Sequence, residues 1–149
     1  MPPNRSPLVV IEAIKNVIKG RTVCELGCAS GDLMVEMQKY AKKVVGVENR
    51  ADHAQAARNR GLDVETADIF KKEIPEAEVY YIWINKYLVP GIKGILRKGI
   101  WIIGADSGEG EDVAIDELGL AGEWKDVYFS EGDQPRQSGV FKLFLTIVE

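Results

Sequence analysis

The sequence predicts an α/β protein: a three-layer α/β/α sandwich around a seven-stranded, mostly parallel sheet with an antiparallel C-terminal strand pair. Three observations lead there. Short apolar runs bounded by Gly, Asp or Asn alternate with segments whose apolar residues recur at helical spacing. Strands that alternate with helices specify a parallel sheet covered on both faces. Two strand-like stretches, Trp124 to Phe129 and Val140 to Val148, flank Glu131-Gly132-Asp133-Gln134-Pro135, which predicts an antiparallel pair.

Met1 to Pro7 contains Pro2, Pro3 and Pro7 and reads as an extended leader without an apolar signal core. Ile11, Ile14, Val17 and Ile18 then recur at helical spacing, and Gly20 stops that helix. Thr22 to Leu26 is the first strand. Leu33, Met34, Met37, Tyr40 and Ala41 mark one face of the next helix. The apolar run Val44 to Val47 predicts a strand buried on both faces. Ala51 to Asn59 is helical and closed by Gly61, and Val64 to Ala67 is the third strand. A short polar connection, Lys71 to Pro75, leads to the most apolar strand, Val79 to Ile84. Pro90 to Leu96 predicts a helix with proline in its first turn, and Ile100 to Ile103 the fifth strand. A short helix near Val113 to Leu118 interrupts the Gly-rich acidic stretch Gly104 to Gly122.

The chain has 149 residues, the length of one domain spanning residues 1–149, with residues 1–7 as its leader. Its net charge of -4 leaves no electrostatic footprint for nucleic acid. Two cysteines, Cys24 and Cys28, and one histidine, His53, are too few for a zinc set, so no metal is expected. No apolar stretch approaches the roughly 20 residues of a membrane helix, and a cytoplasmic location is expected. The acidic run Glu109, Glu111, Asp112, Asp116 and Glu117 reads as a solvated face, and His53 as exposed.

Right-handed crossovers put the C-terminal ends of the parallel strands along one rim, where such sheets bind ligands. Glu25, Glu48, Asp68, Asn85 and Asp106 each close an apolar run or lie just beyond it. Each alone reads as a turn residue; the series in phase with the βα repeat points to a binding rim. Between Glu25 and Leu33 lies the turn Gly27-Cys28-Ala29-Ser30-Gly31-Asp32. It is not a phosphate loop, which needs Gly, four residues, then Gly-Lys-Ser/Thr. Nor does it match the dinucleotide pattern Gly-x-Gly-x-x-Gly, since Ala29 and Asp32 replace the second and third glycines. A ligand with a cationic or zwitterionic part suits Glu25 and Asp32 better than a pyrophosphate does.

Glu25-Leu26-Gly27-Cys28-Ala29-Ser30-Gly31 resembles the first motif of the class I S-adenosylmethionine-dependent methyltransferases, acid-x-Gly-x-Gly-x-Gly, with Ala29 at the middle glycine. Val44-Val45-Gly46-Val47-Glu48-Asn49 resembles the second motif and Thr66-Ala67-Asp68-Ile69-Phe70 the third. Ile95-Leu96-Arg97-Lys98-Gly99 resembles the Leu-Arg-Pro-Gly turn before strand five, with Lys98 in place of proline.

The resemblance implies S-adenosylmethionine as cofactor and methyl transfer as reaction. Gly27, Cys28 and Gly31 then lie along the methionyl part, and Glu25 offsets its positive charge. Glu48 accepts the ribose hydroxyls. Asp68 and the backbone N–H of Ile69 address the adenine edge, while Asn49 and Phe70 line its faces. On the acceptor side the segment after strand four is Trp83-Ile84-Asn85-Lys86-Tyr87-Leu88, without the Asp/Asn-Pro-Pro-Tyr of many amino-methylating enzymes. Asn85 either orients an amine or caps the next turn; Tyr87 either meets an amine by cation–π attraction or packs. A diffuse likeness to small protein-lysine methyltransferases favours a protein or small amine as acceptor. The rival readings are a non-catalytic S-adenosylmethionine-binding subunit and a nicotinamide-dependent reductase. The glycine spacing and the lack of a Tyr-x-x-x-Lys pair disfavour the reductase.

Overall fold

The computed structural model describes residues 7–83, 85–106, 110–129 and 139–149, and in it strand β1 (Thr22–Leu26) lies at the centre of the sheet. β1 is buried at four of its five positions because it has a strand on each side and helices above and below. On one side it pairs in parallel with β2 (Lys43–Glu48), which pairs with β3 (Asp63–Thr66). On the other it pairs in parallel with β4 (Val79–Ile82), followed by β5 (Gly99–Asp106). The hairpin strands β6 (Gly122–Phe129) and β7 (Gly139–Val148) complete the order β3-β2-β1-β4-β5-β7-β6. β7 is antiparallel to both β5 and β6, so the expected seven-stranded sheet with a closing antiparallel pair is present. The chain moves outward from β1 through β2 and β3, then returns to the other side of β1 at β4. The switch point of the sheet therefore lies between β1 and β4.

Side-chain alternation along the strands sends apolar residues into two cores. One packs Val23, Val44, Val64 and Tyr81 against α1 (Pro7–Ile18), α2 (Asp32–Met37) and α3 (Ala51–Asn59), through Ile14, Met34 and Ala57 among others. The other packs Cys24, Val47, Tyr80 and Trp101 against Ile92 of a 3₁₀ helix (Val89–Gly94) and Ile115 of α4 (Glu111–Asp116). Tyr80 stacks on Trp101 with centroids 4.6 Å apart. Trp83 and Trp101 are core residues as the strand pattern predicts, and Trp124 is half-buried against the ring of Phe144.

Several elements differ from expectation, each for a local reason. Pro7 opens α1 rather than ending the leader, whose residues 1–6 lie outside the described residues. α2 stops at Met37 instead of running to Ala41, because the chain tightens there: the N–H groups of Lys39 and Tyr40 donate three residues back, to the carbonyls of Glu36 (3.2 Å) and Met37 (3.1 Å). The helix expected at Pro90 to Leu96 is a 3₁₀ helix over Val89–Gly94; Gly91 and Gly94 within it are poor α-helix formers. β5 runs on through Gly104 to Asp106 because β7 pairs along its whole length. Gly104 carries no side chain signal for a strand, but the indole of Trp83 occupies the space a Cβ would need.

The acidic run is not simply solvated. Asp112 of α4 pairs with Lys142 of β7 (3.3 Å), and Asp116 accepts the Trp124 indole N–H (3.0 Å), tying α4 to the hairpin. Glu109 lies outside the described residues. His53 is half-buried on α3 rather than exposed. Among the described residues no helix is long and apolar enough to cross a membrane, and no cluster of three His, Cys, Asp or Glu is placed to hold a metal.

Gly46 of β2 lies where the two central strands meet the turn after β1. A Cβ there would sit 2.6 Å from the Met34 sulfur and 2.8 Å from the Cys28 sulfur. Gly46→Ala is therefore expected to destabilise the fold by about 1–3 kcal/mol, seen as a lowered Tm in a thermal melt. An unchanged Tm would show that the Met34 and Cys28 side chains yield freely.

Candidate functional site at the C-terminal rim

The turn after β1 is held by the end of β2. The N–H groups of Gly27 and Cys28 both donate to the carbonyl of Val47, at 2.8 and 3.2 Å. One residue on, Glu48 Oε1 accepts the N–H of Ala29 (2.9 Å) and Oε2 accepts the N–H of Arg50 (2.8 Å). This tight reversal needs left-handed backbone at Gly27 (φ 78°), Ala29 (φ 50°) and Gly31 (φ 89°). Two of these are glycine, which adopts that conformation without strain. Ala29, in place of the middle glycine, is the non-glycine residue at positive φ among the described residues. Its bond to Glu48 helps hold it there.

The two glycines serve different purposes. No atom lies within 4 Å of where a Cβ on Gly27 would be, so this face of the turn opens outward. A Cβ on Gly31 would collide with Leu62 and come within 3.5 Å of Ala57. Gly31 thus lets the α3–β3 corner pack against the turn, and its contribution to a ligand is limited to backbone. The Cys28 thiol points inward beside Gly46, and burial together with the Glu25 and Glu48 carboxylates pushes it up to about 12. Cys28 is therefore neutral, and only its backbone can face a ligand.

Glu25 is 2% exposed, and its Oε1 has no hydrogen-bond partner among the described residues. Burial, reinforced by the Asp32 and Glu48 carboxylates, pushes its carboxyl up to about 8. In register with it on β4 stands Tyr81, 1% exposed, whose hydroxyl is also without a partner. Burial and the neighbouring Glu25 hold the Tyr81 phenol well above its usual range. Sequence reasoning missed Tyr81, which reads as one of three aromatics in an apolar run. Its place opposite Glu25 depends on the β1–β4 register, which no local pattern encodes. Asp32, expected beside the ligand, is exposed and paired with Arg60 (2.6 Å).

The other predicted residues lie further along the rim. Asn49 is exposed next to Glu48. Asp68 shapes the turn after β3: its Oδ1 accepts the N–H of Phe70 (2.9 Å) and its carbonyl accepts from Lys71 and Lys72. Ile69 is half-buried against the second core, and Phe70 covers Gly91. After β4, Asn85 Oδ1 accepts the N–H of Tyr87 (2.9 Å) and its carbonyl accepts that of Leu88 (2.8 Å). Asn85 therefore does cap the turn. Tyr87 is 79% exposed, with the Lys86 ammonium 5.4 Å from its ring centroid. The structure gathers Gly27, Cys28, Gly31 and Glu48 into one hydrogen-bonded turn with Glu25 buried on the strand that leads into it, and leaves Asn85 and Tyr87 on a separate exposed turn. The loop through Arg136 lies outside the described residues.

A cavity of about 800 Å³ opens at the opposite edge of the sheet, lined by Arg21, Thr22, Glu78, Arg97 and Gly99 among others. Its polar groups satisfy one another: Glu78 accepts the N–H of Thr22 (3.0 Å), and Arg97 pairs with Glu76 (3.4 Å). The rim, with its buried unpartnered polar atoms, is the stronger candidate.

No protein-family model matches the chain. A curated protein, the carboxy-S-adenosyl-L-methionine synthase of a Nitratiruptor species, is 26% identical over 94 residues, 57% of this chain and 38% of that protein. The chain thus spans well under half the length of the curated relative it matches. Among solved structures, the methyltransferase domain of bacterial CtHen1-C superposes with a TM-score of 0.72 at 12% identity, covering 98% of both chains. The N-methyltransferase NodS of Bradyrhizobium japonicum gives 0.69 at 13% identity, covering 99% of this chain and 98% of its own. The magnesium protoporphyrin IX methyltransferase of Synechocystis, solved with bound S-adenosylmethionine, gives 0.64 at 11%, covering 95% and 76%. The chain has the class I methyltransferase fold.

Glu25 makes stability depend on pH. The folded chain keeps its proton up to about 8, whereas the unfolded carboxyl releases it near its ordinary value of 4.5. Between those values the folded state binds more protons, so stability falls as pH rises through the window and is lowest above it. Denaturant titrations at pH 5 and pH 8.5 are expected to show this fall in the wild type and a flatter profile in Glu25→Gln, with the variant the more stable at pH 8.5. Parallel profiles in the two proteins would contradict the assignment.

Proposed function

We propose that this chain is a methyltransferase that binds S-adenosylmethionine across the ends of β1, β2 and β3 and methylates an amine. The carrying observation is the turn Gly27 to Gly31, pinned to Glu48, with Glu25 Oε1 buried and without a hydrogen-bond partner among the described residues. These residues fit the cofactor. An ionised carboxylate offers about four lone-pair directions. Each Glu48 oxygen already takes one backbone N–H, which fixes the side chain and leaves capacity for two ribose hydroxyls. The open face of Gly27, with the Cys28 and Gly31 backbone, lets a methionyl chain approach the turn. Glu25 provides a charge partner for its cationic end. Asp68 and the N–H of Ile69 are placed after β3 to read the adenine edge, and Asn49 lies beside the ribose end.

When bound, the cofactor supplies an activated methyl group on a sulfonium. The protein's task is to align a nucleophile with it and exclude water, so orientation supplies much of the rate. An acid–base residue is needed only for an acceptor that arrives protonated. On the acceptor side, the capped turn Asn85 to Leu88 presents the ring of Tyr87, and the nearby Lys86 shows that this ring face tolerates a cation. That supports a protein lysine or small amine as acceptor, with Asn85 and Tyr87 at its entrance. The net charge of -4 fits such a cationic acceptor better than a nucleic acid.

Isothermal titration with S-adenosylhomocysteine tests the reading, and no binding at high micromolar concentration would sink it. Glu48→Ala is expected to weaken binding at least about tenfold, since bonds to a charged acceptor are lost. A proton signature should accompany binding. Below about pH 8 the empty site keeps Glu25 protonated, and a cation beside it favours the carboxylate, so binding releases a proton. At pH 7 the binding enthalpy should therefore vary with the ionisation enthalpy of the buffer, and this dependence should vanish in Glu25→Gln.

A further inference from the structure

We propose that Tyr81 is a donor-binding residue: its phenol oxygen and the Glu25 carboxylate together take the ammonium group at the amino-acid end of the methyl donor, at the junction of β1 and β4. This rests on the reading of the rim as a methyl-donor site and adds a residue from the strand across the switch point.

The geometry is specific. Glu25 and Tyr81 are register partners on adjacent parallel strands, so their side chains leave the sheet on one face, side by side. That face is the one covered by α1 and α2, where Tyr81 joins the first core. Glu25 is 2% and Tyr81 1% exposed. Among the described residues three buried side-chain oxygens lack a hydrogen-bond partner, and two are Glu25 Oε1 and the Tyr81 hydroxyl. The third, on Glu111, belongs to α4 and lies outside this pair. Buried polar groups are ordinarily satisfied, so two neighbouring orphans call for a shared partner.

Chemistry narrows that partner. A carboxylate accepts only, and a phenol oxygen accepts through its lone pairs. A group that satisfies both at once is a multiple donor, and a cation is favoured because it also stabilises the buried carboxylate. An ammonium has three N–H donors and no acceptor. The pair sits beside the switch point of the sheet, where ligands of such folds enter, and Glu25 lies two residues before Gly27, around whose Cβ position no atom lies within 4 Å. Packing alone does not need the hydroxyl, because phenylalanine fills the same volume without a polar atom to bury.

The test is Tyr81→Phe, titrated with S-adenosylhomocysteine and with its deaminated analogue, which keeps the carboxylate and lacks the ammonium. The variant is expected to bind S-adenosylhomocysteine about tenfold more weakly than the wild type and the deaminated analogue equally well. Its ligand-free Tm should be unchanged or higher, because an unpartnered buried hydroxyl has been removed. Equal losses for both ligands, or no loss for either, overturn the assignment of Tyr81 while leaving the donor site standing. A ligand-free Tm lowered by several degrees overturns it too, since the hydroxyl would then be bonded within the protein. If the wild type binds neither compound, the donor-site reading itself falls and this assignment with it.

Discussion

Both oxygens of Glu48 are bonded to main chain, one to the N–H of Ala29 in the turn after β1 and one to the N–H of Arg50 at the start of α3. The site depends on this arrangement. The turn carries three consecutive odd-numbered positions, 27, 29 and 31, in left-handed backbone, and one of them is alanine. Such a segment would relax if its N–H groups were left to solvent. Glu48 and the carbonyl of Val47 instead anchor it to the neighbouring strand, so the ends of β1 and β2 form one rigid lip. Every other candidate residue is positioned relative to that lip.

The two buried glutamates at the lip show how environment divides the work of identical side chains. Glu48 is 6% exposed, and each of its oxygens accepts a backbone N–H. Glu25, on the next strand, has an oxygen with no such donor, and burial drives its carboxyl up to about 8. The first is a finished structural element with spare lone pairs. The second keeps one oxygen without a hydrogen-bond partner among the described residues, and the proposed cation site rests on it. This follows from placing the acid beneath the helices rather than at the wet edge of the sheet.

Most of the fold was legible in the sequence because its signals are local. The apolar run at Val44 to Val47, the helical spacing in α1 and the Gly-Pro punctuation before β7 each report on a few neighbouring residues. Failures occurred where a distant partner decides. The Tyr40 carbonyl after α2 finds the N–H of Gly20, and β5 extends through Gly104 because β7 is beside it. Asp112 and Asp116 look like a solvated run in one dimension but reach Lys142 and Trp124 in three. At the site, the residues of the turn were visible through glycine spacing, whereas Tyr81 was not. An aromatic residue in an apolar strand carries no mark of which strand it will face.

The sequence by itself determined the order of strands and helices, the acids at the strand ends and the glycines that make the turn. Each of these is set by backbone conformational preference and hydrophobic period over a few residues. Only the tertiary structure decided that Glu48 clamps the turn, that Gly31 makes room for Leu62 rather than a ligand, and that Asp32 belongs to Arg60. It also decided that Glu25 and Tyr81 are buried as register partners, with Glu25 Oε1 and the Tyr81 hydroxyl free of hydrogen bonds among the described residues. The reason is physical: hydrogen bonding and desolvation depend on which groups meet across strands, and parallel register is fixed by crossovers far apart in the chain.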